Sequence, residues 1–135
     1  MSLTPYRGSW TSRHYSTKTT TAYAVGEALY TDGTNVLPMV ATGEDCLGIC
    51  AEVKAVGTTG TGRVKVWVPR SPSCTALVDV GTGTPTVASE GNLCDPDDSL
   101  PSTKIDVSTS TESTYRMEKF HSATLMEVSF SPTKR

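Results

Sequence analysis

The chain of 135 residues has little of what builds a large hydrophobic core. Leucine, isoleucine, valine and phenylalanine together fall below ordinary globular usage, while serine and threonine make up roughly a quarter of the residues. A chain of this length lies in the single-domain range and can bury about two thirds of the surface that its unfolded form exposes. We therefore expect one thin core within much loop, and a stability that depends on neighbouring molecules.

Long apolar runs are also missing. A membrane-spanning helix needs about 20 consecutive apolar residues, and a secretory signal needs a charged region, an apolar region and a small-residue cleavage site. The sequence contains neither pattern. We expect a protein that is made and used without crossing a membrane, and we expect no membrane among its partners.

The sequence has no recognisable catalytic or cofactor motif. It lacks the Gly-x-Ser-x-Gly nucleophile motif and the glycine-rich phosphate loop with its lysine and hydroxyl residue. His14 lies in the N-terminal segment, and His121 has no nucleophile motif beside it. We expect no cofactor and no enzymatic activity, with a small hydrolase built around His121 as the weaker alternative.

Cysteine is scarce and scattered, at Cys46, Cys50, Cys74 and Cys94. Without an export signal, an even cysteine count is poor evidence for a disulfide framework. Zinc would need further ligands at compact spacing, and the acidic stretch 95–99 lacks the central glycine and late glutamate of a calcium loop. We expect buried free thiols and no metal site, with one native disulfide as the alternative.

The net charge of −2 hides an asymmetry along the chain. Residues 1–21 contain three basic side chains and no acidic one, which gives a charge of +3. Residues 22–135 contain nine basic and fourteen acidic side chains, which gives −5. The sequence is therefore a basic N-terminal segment followed by an acidic body.

This N-terminal segment, residues 1–21, has no helical period and no continuous apolar face. It carries large aromatic side chains at Tyr6, Trp10 and Tyr15, which favour docking onto another surface. We predict an extended arm that is ordered on a partner, with a frayed terminus as the plain alternative. Nucleic acid is not expected as a partner, because phosphate-driven affinity needs many more basic contacts.

The segment 22–68 carries the clearest structural pattern, with short apolar runs broken by glycine and Asp-Gly. We predict a strand at 27–30, a tight turn at 31–34 around Asp-Gly, and a return strand at 36–40 in which Pro38 marks an edge or a bulge. This pattern of short apolar runs and tight turns is typical of a small antiparallel β-domain.

The second half of the same segment predicts a buried strand at 46–56, a flexible loop at 57–62 and a strand at 63–68. In the last of these, Val64, Val66 and Val68 alternate with Arg63, Lys65 and Trp67, so the two sets face opposite sides of a sheet. Trp67 on this basic face is either an aromatic packed at the rim of the core or an anchor for a partner.

The C-terminal half predicts further strands at 75–80 and 123–130, and a short helical turn at 115–121. The segment 85–131 follows the outline of 22–68, so a weak internal repeat is possible. We treat 22–135 as a single β-domain that carries this possible duplication.

Three segments together resemble a known family, the head decoration or capsid cement proteins of tailed bacteriophages. They are Val25-Gly26-Glu27-Ala28-Leu29-Tyr30, Leu47-Gly48-Ile49-Cys50-Ala51 and Gly62-Arg63-Val64-Lys65-Val66-Trp67-Val68. They are similar to that family's order of a glycine-introduced strand, a small-residue strand and a valine-alternating strand. The resemblance covers about a third of the chain, and the long segment after Val80 and the four cysteines depart from the family pattern.

The resemblance implies a small β-barrel or β-tulip domain on the outer surface of an expanded phage head. Such a protein would clamp neighbouring capsomers, with the major capsid protein and further copies of itself, commonly trimers, as partners. The residues that we expect to contact the capsid or a neighbouring copy are Tyr6, Arg7, Trp10, Arg13, Tyr15, Trp67 and Arg70. The alternative is a receptor- or glycan-binding module of a phage fibre or tail.

Overall fold

A computed structural model describes residues 2–39, 45–55, 62–97, 101–111 and 113–130. These residues form eleven strands and one short 3-10 helix, Val87–Ser89, so the predicted all-β class is confirmed. The strands are β1 (Thr4–Arg7), β2 (Trp10–Ser16), β3 (Ala28–Thr31), β4 (Val36–Pro38), β5 (Gly48–Cys50), β6 (Arg63–Pro69), β7 (Thr75–Thr82), β8 (Leu93–Pro96), β9 (Lys104–Asp106), β10 (Tyr115–Ser122) and β11 (Leu125–Phe130).

The strands form two sheets. The first sheet has the order β2-β6-β5-β3-β4, and the second has the order β1-β7-β11-β10-β8-β9. In the second sheet β9 also pairs with β7, in parallel, which closes β7 to β11 into a five-stranded barrel. We name these five strands the C-terminal ring.

The first sheet closes on itself through a single contact. Thr17, directly after β2, forms a parallel bridge with Val36 at the start of β4. We name β2 to β6 the N-terminal ring. Its strand order and strand directions match those of the C-terminal ring throughout: β2 corresponds to β7, β3 to β8, β4 to β9, β5 to β10 and β6 to β11.

Corresponding strands near the start of each ring are separated by the same number of residues in the chain. β2 and β7 begin 65 residues apart, and so do β3 and β8. Gly26 and Gly91, also 65 apart, both precede these strands with positive φ angles of 81° and 90°, which side chains other than glycine rarely adopt. The predicted repeat segments, 22–68 and 85–131, left out the first strand of each ring. Descent of the rings from one duplicated unit stays a prediction.

The N-terminal segment is extended, but it is part of the sheets. β1 pairs with β7 of the C-terminal ring, and β2 pairs with β6 along its whole length. The predicted boundary at residue 21 therefore does not separate an arm from a body, because β2 belongs to the same ring as β3. Sequence alone missed this pairing because strands distant in the chain supply the hydrogen bonds.

The apolar side chains form two clusters. The smaller one fills the N-terminal ring and contains Tyr23, Leu29, Val36, Cys50, Val64 and Val66. The larger one contains residues of the C-terminal ring together with Leu3, Ala28, Met39, Cys46 and Ile49 from the first part of the chain. The rings therefore pack against each other, and Leu3 ties the start of the chain into the larger cluster.

Two predicted elements differ from the structure. The helical turn predicted at 115–121 is wrong, since these residues lie in strand β10, which pairs with β11 and β8. The strand predicted at 46–56 is limited to β5, three residues long, while the loop predicted at 57–62 lies, apart from Gly62, outside the described residues.

Other predicted elements are confirmed. In β6, Val64 and Val66 are buried in the N-terminal ring and Arg63 is exposed on the opposite face. In the turn before β4, the Asp32 carboxylate accepts the backbone N–H groups of Thr34 and Asn35 at 2.8 Å each. These two hydrogen bonds lower the pKa of Asp32.

Candidate binding surface

Six of the seven residues expected to contact a partner fall into two groups of three in the structure. Arg13, Tyr15 and Arg70 line one groove on the face that β2 shares with β6. Tyr6, Arg7 and Trp10 lie where β1 and the start of β2 cross the C-terminal ring, and Trp67 lies on β6 facing the larger core. The sequence predicted the residues but not this division.

The outer edge of β2 is the most distinctive feature of the first group. β2 stands at the end of its sheet and pairs with β6 alone along Trp10–Ser16; only the following Thr17 bridges to β4. The edge away from β6 therefore has no strand partner among the described residues. Unpaired edges of this kind are ready templates for another chain.

The direction of each backbone group on β2 follows from two hydrogen bonds. The Ser9 carbonyl accepts the Arg70 N–H at 3.0 Å, and the Thr17 N–H donates to the Gly62 carbonyl at 2.9 Å, so both groups point towards β6. Peptide groups alternate in direction along a strand. The N–H and C=O groups of Trp10, Ser12 and His14 therefore point outwards.

A groove of about 430 Å³ lies on the face that β2 shares with β6. It is lined by Thr11, Arg13, Tyr15, Val68, Pro69 and Arg70. Arg13 and Arg70 are exposed, and neither forms an ion pair with a described residue. The groove therefore offers two guanidinium groups that form no ion pair with a described residue, and the half-buried ring of Tyr15.

Trp67 is packed rather than free. It lies on the outer face of β6, is half-buried, and packs against the larger core. The Lys65 ammonium lies 5.0 Å from the centre of its ring, within range of a cation–π interaction. Of the two interpretations of Trp67, the structure places it as an aromatic at the rim of the core.

The second group holds β1 on the C-terminal ring. The Arg7 guanidinium lies 3.2 Å from the carboxylate of Glu127, which is 3% exposed. The same carboxylate accepts the Thr75 hydroxyl at 2.6 Å and lies 3.3 Å from His121 Nε2. Tyr6 packs edge-on against the His121 ring with centroids 6.1 Å apart, and 47% of its surface remains exposed.

Trp10 serves the junction between the rings. Its ring packs edge-on against Phe130 with centroids 5.9 Å apart, and its Nε1–H donates to the Arg7 carbonyl at 3.0 Å. Trp10 and Arg7 therefore make contacts within the chain, and the half-buried Tyr15 packs against the core of the N-terminal ring, whereas the side chains of Arg13 and Arg70 are exposed.

The described residues contain no group of three His, Cys, Asp or Glu side chains arranged for a metal ion. All four cysteines are buried thiols outside any disulfide bond, as the sequence predicted. Burial raises the pKa of Cys50 to about 11 and raises the pKa of Cys94 further. Thiols with such pKa values are poor nucleophiles at neutral pH.

Among the described residues, His121 has a side-chain hydrogen bond to Glu127 and none to a hydroxyl or thiol group. His121 pairs with Glu127, but the nearby Thr75 hydroxyl donates to the carboxylate and not to the imidazole. A nucleophile activated by histidine would need a hydrogen bond to the ring nitrogen.

A second cavity, of about 460 Å³, lies between residues 20–27 and Pro38 and Pro101 and is mostly apolar. Glu27 lines it and is 2% exposed; its two carboxylate oxygens accept the N–H groups of Ala24 and Ser102. Burial raises the pKa of Glu27. Both oxygens serve the backbone, so we assign this carboxylate a structural role.

Sequence reasoning missed part of the cationic edge. Arg63 donates from Nη1 to the outward-facing His14 carbonyl at 3.1 Å, so it belongs to the β2 edge and not only to the face of β6. The alternation in β6 assigned Arg63 a face, but only the pairing of β2 with β6 places it beside His14.

No protein-family model matches the chain, and no curated protein matches its sequence. In the described part of the chain, no helix has the length and apolar character required to cross a membrane.

Proposed function

We propose that this protein is a head decoration, or capsid cement, protein of a tailed bacteriophage. It binds the outer surface of the expanded head and stabilises it by clamping neighbouring capsomers. Its partners are the major capsid protein and further copies of itself, as a trimer on the capsid. It is made in the host cytoplasm, ends in the virion, and has no catalytic role.

The observation that carries this proposal is the edge of β2 that no described strand pairs with, together with the exposed Arg13 and Arg70, which form no ion pair with a described residue. A strand edge binds extended segments through backbone hydrogen bonds, which does not require a large apolar patch. The small all-β body with much serine and threonine also suits a protein that works by attachment.

Symmetry explains how such a modest contact could hold a shell. Each copy contributes a limited interface, but copies fixed on a symmetric lattice engage many sites at once. Linked binding events raise the overall avidity well beyond the affinity of one contact. A thin core is also less of a liability where neighbouring subunits add buried surface.

Sedimentation tests the proposal. The purified protein is mixed with undecorated expanded shells from its own source, and with unexpanded shells as the control. We expect saturable binding to expanded shells only, weakened by added salt, because exposed charges contribute less at high ionic strength.

A charge-reversal pair locates the contact. Arg13→Glu with Arg70→Glu should weaken binding about tenfold or more, because attraction becomes repulsion at the groove. Lys104→Glu with Lys119→Glu makes the same change in net charge on exposed positions of the C-terminal ring and should leave binding within about twofold. If neither kind of shell is bound, the proposal fails, and a glycan array then tests the receptor-binding alternative.

A further inference from the structure

The two rings allow their outer edges to be compared strand by strand. β7 corresponds to β2, and each is the first strand of its ring. β11 pairs with β7 on one edge over residues 76–79. β1 and β9 both overlap that stretch, so they share the opposite, outer edge of β7.

Each part of the β7 edge has a counterpart on β2. β9 pairs with the C-terminal half of β7, and its counterpart β4 bridges to Thr17 just after β2. β1 covers residues 75–77 of β7, antiparallel to it, and the counterparts of these residues are 10–12. No described strand covers them. Among the described residues, a strand thus fills an edge position in one ring, and no strand fills the corresponding position in the other.

Basic side chains outnumber acidic ones around the open position, where one carboxylate, that of Glu52, lies 3.9 Å from His14 Nε2 and 3.6 Å from Lys54 Nζ. β2 and the stretch from Arg63 to Arg70 contain four basic side chains, Arg13, Arg63, Lys65 and Arg70, and no acidic one. Arg13 and Arg70 line the groove on the face that β2 shares with β6, and Arg63 donates to the outward-facing His14 carbonyl. An incoming strand that carries carboxylates would therefore meet opposite charges on arrival.

We propose that an extended, acidic segment of a partner protein adds to the outer edge of β2, antiparallel to it, as β1 adds to β7. The segment pairs with the outward peptide groups of Trp10, Ser12 and His14, and its carboxylates meet Arg13 and Arg70. The identity of the partner rests on the proposed function: if the protein binds a phage head, the partner is the shell subunit.

β1 of a second copy fits this position poorly. It carries Arg7 and no acidic residue, so it would bring like charge to the groove. β1 is also bound within its own chain. Arg7 pairs with the buried Glu127, and the adjoining Leu3 is 2% exposed in the larger core. The charge of the groove therefore favours a different chain as the occupant.

The first test uses an eight-residue synthetic peptide in which glutamate alternates with valine and threonine, and the same peptide with lysine in place of glutamate. Amide exchange of the full-length protein is followed by NMR. Binding of the acidic peptide should slow exchange at Ser12 and His14, whose N–H groups point outwards. Thr11 and Arg13 provide an internal control, because their N–H groups already face β6 and should change little.

A backbone variant makes the test independent of charge. Ser12→Pro removes one outward N–H and leaves the hydrogen bonds to β6 in place, since proline is tolerated on edge strands. We expect about a tenfold loss of affinity for the acidic peptide, while Ser12→Ala keeps the N–H and stays within about twofold. If Ser12→Pro does not fold, Arg13→Gln with Arg70→Gln replaces it and should give a comparable loss.

Equal binding of the two peptides, or unchanged exchange at Ser12 and His14 with the acidic one, would overturn the inference. The same amides measured on shell-bound protein separate this inference from the proposed function. Shell binding with Ser12 and His14 unprotected would retain the function and refute the edge site. Peptide binding with these amides protected, but no shell binding, would retain the edge site and refute the function.

Discussion

Two buried tyrosines give opposite predictions for the same substitution. Tyr23 and Tyr115 are 2% and 0% exposed. The Tyr23 hydroxyl donates to the Val36 carbonyl at 2.6 Å and accepts the Lys18 N–H at 3.0 Å. The Tyr115 hydroxyl is buried with no hydrogen-bond partner among the described residues. Replacing each by phenylalanine removes only the oxygen, so the pair isolates the effect of hydrogen bonding.

The magnitudes follow from the unpaired groups that each change creates or removes. Tyr23→Phe leaves a buried carbonyl without its donor, and should destabilise the fold by about 1–3 kcal/mol. Tyr115→Phe removes a buried polar group that has no partner, a gain of about 1–3 kcal/mol that a small void partly offsets. We expect Tyr115→Phe to raise the free energy of unfolding by about 1 kcal/mol.

Urea unfolding followed by circular dichroism measures both variants against the parent chain. Burial raises the pKa of both phenols, so neither ionises at neutral pH and ionisation does not confuse the comparison. If Tyr115→Phe destabilises the protein as much as Tyr23→Phe does, then the Tyr115 hydroxyl has a partner and the packing described between the rings is wrong.

Three further predictions concern other parts of the fold. Cys50 and Cys94 should resist alkylation by iodoacetamide at pH 8 in the native state, because burial raises the pKa of both thiols, and should react once urea unfolds the chain; labelling in the native state would contradict their burial. Gly48→Ala should lower the melting temperature, since its Cβ would clash with the Trp67 carbonyl on the neighbouring strand, and an unchanged melting temperature would show that β5 and β6 are not paired as described. Deletion of residues 1–21 should abolish cooperative thermal unfolding, because it removes β1 and β2 from the sheets, whereas a chain that still unfolds cooperatively with the full β circular-dichroism signal would restore the separate arm.

Local pattern was sufficient for part of the fold. The valine alternation in β6 indicates a strand, and the Asp32 turn before β4 indicates a hairpin. Both patterns lie within a few consecutive residues, and both elements were predicted. β2 carries no such signal, because Thr11, Arg13 and Tyr15 share one face and no apolar alternation marks it. Its strand comes from pairing with β6, some 50 residues away in the chain.

Non-local pairing also explains the error at 115–121. This segment contains Met117, Glu118 and Lys119, which favour helices, but β10 is flanked by β11 and β8 and is held as a strand by both. The candidate site shows the same division. Residue type led us to expect Arg13, Tyr15 and Arg70 as contacts, which stays a prediction, while the edge of β2 that no described strand pairs with depends on the order of strands in the ring.

The strand order also shows that the two rings correspond strand by strand, whereas the sequence comparison detected only part of this correspondence. The similarity between 22–68 and 85–131 began after the first strand of each ring, because β2 and β7 differ in sequence while occupying the same place. The place of a strand in a barrel determines which of its side chains face inwards, but many different residues can occupy those positions. The correspondence therefore emerges from pairing and direction rather than from residue identity.

The central claim is that the protein stabilises an expanded phage head. The most direct measurement is the temperature at which expanded shells from its own source disrupt, recorded by calorimetry as increasing amounts of the protein are added. The account predicts a disruption temperature that rises and then saturates when the surface sites are filled, with no such rise for the Arg13→Glu, Arg70→Glu variant at the same concentration. A disruption temperature that stays constant at saturating protein would contradict the claim.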